Sequence, residues 1–514
     1  MRQMNGGRFI SLVVQRVGTI FILLLQMAFL IYAISSNSRE SMVLQGILMV
    51  ISVITALHVM SRKDKGAYKL SMIFLILIFP IFGGLFYWLF RIQMSTKGLQ
   101  KELDEIEKDG KGAFLLLPDS YEKACTVAPE HIAEIRYLQK FTGFPVYQHT
   151  QTEYYSLGEY AFQAMLEAME RAEAYIFLEY FIIEEGIMWD AMLEVLKRKA
   201  SQGVDVRLIY DDLGCFLLLP RNYPEVLRSF GIECYVFNPF RPFLTTVQNN
   251  RDHRKILSID GKVAFTGGIN LADEYINEKV KFGHWKDSAI RLEGYGAWSL
   301  TVMFLEMWSL LNKKPEQYEE YLPWQEEGCW TAHDGLVQPY SDSPMDMENV
   351  SEHVYLRMIE KAQDYLYITT PYLIVDDSMI SALTLAAKSG VDVRITMPHI
   401  PDKRLVQFMG RSYYRELIRA GVKIYEYEAG FIHGKSFVSD DKVATVGTVN
   451  MDFRSLYLHF ECGTWLYQSK AVLQLKDDYL ETLKGCHVVT LKDCESNVLV
   501  RLVQEALRPF APLM

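Results

Sequence analysis

The chain has 514 residues, of which 50% are hydrophobic and 23% are charged, and its formal net charge is −10. This length predicts more than one structural unit, and the acidic balance argues against a protein that wraps a nucleic-acid backbone. The seven cysteines are scattered without any C-x-x-C pair, which argues against a disulfide framework and against a zinc site.

Three uncharged apolar runs open the chain, at residues 17–34, 42–60 and 70–90. Each has about the ~20 residues that a helix needs to cross a bilayer. We therefore predict a membrane-anchoring region over residues 1–94 with two to three hydrophobic helices. The third run contains Pro80, Gly83 and Gly84, so it either crosses the bilayer or re-enters it on the same side. The sequence therefore does not decide on which side of the membrane the rest of the chain lies.

A charged stretch follows, and we interpret residues 95–119 as a linker. Beyond it the same order of elements occurs twice: apolar, β-rich runs at 174–183 and 203–212 flank a helical pattern, and runs at 364–374 and 390–398 flank another. The pentapeptide Gly-Val-Asp-Val-Arg occurs in both halves. We predict an α/β fold with two similar subdomains, residues 120–330 and 331–514, each with a mixed sheet flanked by helices.

Each half carries one copy of a polar motif. Residues 253–260 read HRKILSID and residues 433–440 read HGKSFVSD, so His, Lys and Asp recur at the same spacing. In a strand the His and the Lys point to the same face, whereas the Asp lies at an odd offset and points away. We expect the two aspartates to fix the turn that follows. The predicted catalytic set is His253, Lys255, Asp260, His433, Lys435 and Asp440.

Small and amide side chains follow each motif at matching positions. A Gly comes seven residues after each motif Asp, and an Asn comes ten residues after it. Glycine lets the backbone approach a ligand and the Asn amide donates hydrogen bonds. The predicted substrate-binding residues are Gly267, Gly447, Asn270 and Asn450.

Two acids that come after the turns, Asp287 and Glu461, are candidates to orient the imidazoles through the second ring nitrogen. We expect the nearby His284 and His459 to be packing or surface residues.

Brought together, the two motifs present two imidazoles and two ammonium groups to one phosphate. The ammonium groups stabilise negative charge on its oxygens. One neutral His attacks phosphorus, while the other gives its proton to the departing alkoxide and then acts as base for the incoming alcohol. This chemistry requires neither a metal nor a cofactor, and we predict none.

Paired motifs of this kind, trailed by GGIN and GTVN, resemble the phospholipase D superfamily. Further matches are FPIFGGLFYWLF in the third apolar run, YDDLG, TTPYLI and the ending LRPFAPL. Over nearly its whole length the chain is similar to the bacterial cardiolipin synthase family. Thr448 stands where many members carry Ser, and it keeps the hydroxyl group.

The resemblance implies that one phosphatidylglycerol gives its phosphatidyl group to a His and releases glycerol, and that a second phosphatidylglycerol accepts the group to give cardiolipin. It assigns the nucleophile to His253 and acid/base catalysis to His433. It also implies a multi-pass protein of a bacterial cell membrane, whose partners are these lipids and the bilayer but no nucleic acid.

Other functions stay open at this point. A hydrolytic phospholipase D uses the same residues with water as acceptor, and another phosphatidyltransferase uses serine or ethanolamine; the choice depends on how well the cleft excludes water. A membrane-anchored nuclease conflicts with the apolar runs and the acidic balance. A non-catalytic lipid-binding scaffold conflicts with the intact copies of every catalytic residue. The acyl preference, the oligomeric state and any protein partner are not predicted.

Overall fold

The computed structural model describes residues 39–62, 65–79, 97–239, 249–323, 332–346, 348–495 and 497–513, with isolated positions at 28, 32, 83–84 and 87–88. Almost all of the first apolar run, and the second half of the third, lie outside the described residues. The chain divides into two compact units. The first holds Met1–Gly98, Phe240–Asn250 and Val498–Met514, and the second holds Leu99–Pro239 and Arg251–Asn497.

The α-helices of the described residues are α1 (Arg39–Ser61), α2 (Gly66–Ile78), α3 (Lys97–Phe114), α4 (Tyr121–Val127), α5 (Ile132–Tyr137), α6 (Gly158–Glu170), α7 (Ile187–Ser201), α8 (Asp212–Cys215), α9 (Tyr223–Arg228), α10 (Tyr295–Asn312), α11 (Val350–Lys361), α12 (Asp377–Lys388), α13 (Arg404–Ala420), α14 (Phe453–Tyr457), α15 (Lys470–Leu483) and α16 (Val498–Leu507). Short 3₁₀ or π turns lie at Pro129–His131, Leu138–Thr142, Asp273–Ile276, Tyr318–Tyr321 and Arg508–Leu513.

The first unit contains α1, α2 and α16. Apolar side chains on α1 are more than half exposed, among them Met42, Ile47, Val50 and Leu57. Among the residues described, the structure has no helix whose length and apolar character suffice to span a membrane. The predicted membrane region over residues 1–94 therefore stays a prediction.

The stretch interpreted as a linker, residues 95–119, is mostly helix α3, and its role as a linker stays a prediction. Most of its charged residues are exposed, whereas Leu103, Ala113 and Phe114 are buried. Phe114 packs edge-on against Phe144 at 5.0 Å between ring centroids. The charge pattern indicated a solvated segment, but apolar residues at helical spacing bury one side of the helix within the second unit, to which it belongs from Leu99 onward.

The described part of the second unit contains two large sheets and two two-stranded sheets. Their strands are β1 (Thr150–Tyr155), β2 (Tyr175–Tyr180), β3 (Asp205–Asp211), β4 (Glu233–Phe237), β5 (Arg251–Asp252), β6 (Lys255–Ile259), β7 (Val263–Gly267), β8 (His284–Lys286), β9 (Ala289–Gly294), β10 (Leu336–Asp342), β11 (Tyr365–Thr369), β12 (Leu373–Ile374), β13 (Asp392–Pro398), β14 (Lys423–Tyr427), β15 (Gly430–Ile432), β16 (Ser436–Ser439), β17 (Val443–Gly447), β18 (Met451–Asp452), β19 (His459–Tyr467) and β20 (Cys486–Val489). The two-stranded sheets are β12 with β18 and β8 with β15.

The two large sheets have the same strand order. The first runs β1-β9-β7-β6-β2-β3-β4, and the second runs β10-β19-β17-β16-β11-β13-β14 with β20 added at its edge. In each sheet three neighbouring strands are parallel and the others are antiparallel. The α/β class, the duplication and the mixed sheets that the sequence predicted are confirmed.

The central strands are mainly hydrophobic because both of their faces are covered, as in parallel sheets generally. Strands β2 and β11 are buried at every position. Helix α10 is buried along nearly its whole length and contacts strands of both sheets. The two halves therefore share one interior, and it fixes how their motifs face each other.

Two short parallel pairs tie the halves together. Strand β5 pairs with the start of β19, which belongs to the second sheet. Strand β15 pairs with β8, which belongs to the first half. In both halves the segment just before the motif therefore pairs with the opposite half, and the chain then enters its own sheet at β6 or β16.

Candidate active site

The two motif histidines lie at these crossings. His253 follows β5 and His433 follows β15, so each stands between two strands rather than inside one. This corrects the expectation that His and Lys share a strand. The backbone N–H of His253 donates to Phe460 O at 2.9 Å, and that of His433 donates to Lys286 O at 2.7 Å. Each histidine is thus fixed by a backbone bond to the other half.

The carboxylate partners are exchanged between the halves. Glu461, from the second half, lies with its two oxygens 2.9 and 3.0 Å from His253 Nδ1. Asp287, from the first half, lies 2.6 Å from His433 Nδ1. Both carboxylates are fully buried. Because Nδ1 is occupied in each ring, Nε2 is the nitrogen left to meet a substrate.

Each motif lysine is hydrogen-bonded to the backbone carbonyl of the histidine in the same motif. Lys255 Nζ donates to His253 O at 2.6 Å, and Lys435 Nζ makes the equivalent bond to His433 O. Both side chains are 1% exposed. Burial lowers the pKa of Lys255 to about 8, and burial together with the charge of Lys255 lowers the pKa of Lys435 to about 7.

Both imidazoles favour the neutral form. Burial, then the ammonium of Lys435, lowers the pKa of His433 to about 4, although Asp287 opposes the shift. Burial and the charge of Lys255 lower the pKa of His253, and the charges of Lys435 and His433 act in the same direction. The two motifs are therefore within electrostatic range of each other, as one shared site requires.

The motif aspartates serve the fold. Asp260 accepts bonds from the backbone N–H groups of Glu173, Ala174 and Tyr175 at 2.8 to 2.9 Å. Asp440 accepts the same three bonds at the start of β11, at 2.9 to 3.0 Å. Neither carboxylate contacts a motif His. Their contacts match the turn-supporting role expected from the odd offset, and they are not where a catalytic group would act.

Close packing explains why glycine occupies positions 267 and 447. A Cβ on Gly267 would lie 2.4 Å from Ser288 O, and a Cβ on Gly447 would lie 2.4 Å from Cys462 O. The neighbouring strand therefore excludes a larger residue at both positions. Their predicted contact with substrate stays a prediction.

The two Asn residues differ from each other. Asn270 Nδ2 donates to Tyr275 OH at 2.7 Å, and its Oδ1 accepts from Ile182 N–H at 3.1 Å. Asn450 is 5% exposed, and its Oδ1 has no hydrogen-bond partner among the described residues. Of the two, Asn450 is the one whose amide is not already used by the fold.

Several residues of the site were not predicted. The Thr448 hydroxyl donates to Glu461 Oε2, which gives that hydroxyl a structural role. Arg251 forks onto Asp211 with contacts of 2.6 to 3.0 Å, at the strand just before His253. The sequence has no periodic pattern that predicts these two pairings, because the paired residues are 13 and 40 positions apart.

His459 was expected to be a packing or surface residue, but it lies beside the site. Its ring centroid is 5.5 Å from that of His253, and Arg454 Nε lies 3.5 Å from its Nε2. His253, His459 and Glu461 hold donor atoms within 4.8 Å of one another, the kind of set that metal ions use. Burial lowers the pKa of His459, and the neighbouring cations act in the same direction: Arg454, Lys255, Arg251 and Lys403. These positive surroundings favour an anion over a cation.

The duplicated α/β sheets and the two His–Lys motifs that meet between them define a protein of the phospholipase D superfamily. The family model described as "Cardiolipin synthase, PLD-like domain" matches residues 165–282 and 355–483, which contain both motifs. A second model, "Phospholipase_D-nuclease N-terminal", matches residues 47–91.

Comparison with known proteins identifies the family within this superfamily. The chain is 43% identical to an uncharacterized protein of Streptococcus mutans, over 90% of this chain and 99% of that one. It is 34% identical to a cardiolipin synthase of Geobacillus sp. (strain WCH70), over 94% and 96% of the two chains. The chain belongs to the cardiolipin synthase family. A phosphatidylserine synthase structure from Haemophilus influenzae shares the fold, with a TM-score of 0.56 at 15% identity, over 72% of this chain and 95% of that one.

Proposed function

We propose that the protein is a cardiolipin synthase, which transfers a phosphatidyl group from one phosphatidylglycerol to another and releases glycerol. The observation that carries this proposal is the pair of motif histidines, each supported at Nδ1 by a buried carboxylate of the opposite half. Two imidazoles held this way supply a nucleophile and an acid/base at one phosphate. Membership in the cardiolipin synthase family supports phosphatidylglycerol as donor and acceptor.

In the first step His253 Nε2 attacks the phosphorus of the donor lipid. The negative charge of the bound phosphodiester favours the protonated form of His433. As the phosphorus–oxygen bond to the head-group glycerol breaks, His433 gives this proton to the departing alkoxide. Glu461 stabilises the positive charge that develops on the His253 ring. The product of this step is a phosphatidyl-histidine and free glycerol.

In the second step a hydroxyl group of another phosphatidylglycerol attacks the same phosphorus. His433, now neutral, takes the hydroxyl proton, and Asp287 stabilises the imidazolium. The phosphorus–nitrogen bond breaks and frees His253, so the enzyme returns to its starting state. In both steps Lys255 and Lys435 face the charge that builds on the non-bridging oxygens.

The assay that tests the reaction gives the purified full chain phosphatidylglycerol in detergent–lipid micelles as its only phospholipid. Cardiolipin and glycerol are expected to rise in equal amounts. Phosphatidic acid without cardiolipin would instead identify water as the acceptor and overturn the proposed transfer. If neither product forms, the next acceptors to add are serine and ethanolamine.

The role of His253 is tested by quenching the reaction in acid and mapping the phosphatidyl group by mass spectrometry. The label is expected on His253, and none is expected in His253→Ala. Label on His433 would reverse the assignment of the two histidines. His433→Ala is expected to lose turnover while it stays bound to membranes.

The membrane region over residues 1–94 belongs to the same proposal. The exposed apolar side chains of α1 support it, because a face of this kind is unfavourable in water. We propose a multi-pass protein of the bacterial cell membrane, with subdomains over residues 120–330 and 331–514. The full chain is expected to stay in the membrane pellet after an alkaline carbonate wash, and release into the supernatant would contradict integral insertion.

A further inference from the structure

The wall of the site next to His253 carries a partly buried arginine with no acid in an ion pair with it. Arg454 lies on α14, and its Nε approaches His459 Nε2 at 3.5 Å. Within the described parts of the second unit no carboxylate forms an ion pair with it. Asp452, the acid that acts on it, caps α14 by accepting from Ser455 N–H at 2.9 Å. Burial and the Arg251 guanidinium lower the pKa of Arg454.

The equivalent position in the other half of the repeat carries an acid instead of a cation. Arg454 comes four residues after Asn450, and four residues after Asn270 comes Glu274. Glu274 is 2% exposed and pairs with Lys281 at 2.6 Å. The site is therefore asymmetric: an acid paired with a lysine stands on the His433 side, and a guanidinium without an ion-paired acid stands on the His253 side.

A partly buried guanidinium without an ion-paired acid is a favourable place for an anionic ligand, because it can form charge-assisted hydrogen bonds. The reacting phosphate already has Lys255 and Lys435. In the reaction proposed above a second phosphodiester must also enter the site, because the acceptor lipid carries its own phosphate one glycerol unit away from the attacking hydroxyl. His459 bridges the two places, since its ring lies 5.5 Å from His253 and its Nε2 meets Arg454.

We propose that Arg454 binds the phosphodiester of the acceptor lipid and so selects a second phosphatidylglycerol over water or a free alcohol. This inference rests on the proposed transfer reaction and adds an acceptor subsite to it. A guanidinium suits this task because its planar fork can hold two phosphate oxygens at once.

The test separates the two lipids by comparing two acceptors. The phosphatidyl-enzyme can pass its group to radiolabelled glycerol, which regenerates labelled phosphatidylglycerol without any acceptor phosphate. In Arg454→Gln, cardiolipin formation is expected to fall about 10- to 100-fold, the range for a lost charge-assisted bond. Glycerol exchange is expected to stay at the wild-type rate, and Arg454→Lys is expected to recover part of the cardiolipin activity.

Exchange also shows that the variant is folded, so a loss of cardiolipin alone cannot come from unfolding. Arg419→Gln, the same change at an exposed position on α13, is the matched control and is expected to keep both activities. Equal losses of exchange and cardiolipin formation in Arg454→Gln, or no loss in either, would overturn the acceptor subsite. A wild-type enzyme that exchanges glycerol but makes no cardiolipin would overturn the proposed function, and this inference with it.

Discussion

At the scale of single residues, the site depends on two carboxylates that each act on the histidine of the other half. Asp287→Asn and Glu461→Gln keep the shape of the side chain but remove the charge that stabilises an imidazolium. We expect each to lower kcat by about 100-fold or more, as in other carboxylate–histidine pairs. The exposed Glu481→Gln serves as control. The measurement is the steady-state rate of cardiolipin formation, and wild-type turnover in both variants would refute the orienting role.

The buried lysines predict how the rate depends on pH. Each ammonium is lost as the pH rises through its pKa, which is about 7 for Lys435 and about 8 for Lys255. The charge that stabilises phosphate is therefore present below this window and lost above it. We expect kcat/KM, which reports the free enzyme, to fall as the pH rises from about 7 to 9.

An arginine at the same position would not lose its charge over this pH range, because a guanidinium stays protonated. In Lys435→Arg we expect the fall in kcat/KM to shift to higher pH, to the pKa of Lys255. This shift is expected even if the variant is slower than the wild type. A wild-type kcat/KM that stays constant up to pH 10 would contradict the lowered lysine pKa values.

At the scale of secondary-structure elements, the motif aspartates fix the start of the central strands. Asp260→Ala removes the acceptor of three backbone N–H groups at β2, and Asp440→Ala does the same at β11. We expect Asp260→Ala to lower the free energy of unfolding by about 2 kcal/mol or more. Asp440→Ala is expected to cost less, because Asp440 is more exposed than Asp260.

The readouts are the unfolding midpoint and the turnover per folded molecule. Turnover is expected to stay within a few-fold of the wild-type value at temperatures well below the unfolding midpoint, because neither carboxylate contacts a histidine. A large loss of turnover without a loss of stability would show that the aspartates act in catalysis.

Much of the element plan could be predicted because it depends on local patterns. The runs at 203–212 and 390–398 are strands β3 and β13 within two residues at each end, and the repeat predicted two equivalent sheets. Helix α3 was missed because its charges outnumber its apolar stripe. The crossings at β5 and β15 were missed because two- and three-residue pairings with a distant segment leave no periodic signal.

The site shows the same division. The motif residues could be predicted because they recur at one spacing, and the two acids because they follow the turns. The exchange of acids between halves, and the places of Arg454 and His459, depend on tertiary contacts between segments that no spacing relates. Asp287 and His433 are 146 residues apart, and Glu461 and His253 are 208 apart.

At the scale of the whole molecule, one chain contains every group of the site. Both histidines, both lysines and both exchanged carboxylates come from the same second unit. The two halves share the interior around α10, so their relative position does not depend on another copy of the chain.

This arrangement predicts that inactive variants do not rescue each other. His253→Ala and His433→Ala, purified separately and mixed, are expected to stay inactive, because every molecule in the mixture lacks one of the two histidines. A site shared between subunits would behave differently, since a mixed dimer would hold one intact histidine of each kind. The two variants are therefore co-expressed as well as mixed, so that slow subunit exchange cannot hide a shared site. Cardiolipin formation by the co-expressed pair, above the level of either variant alone, would show that the halves of the site come from different chains.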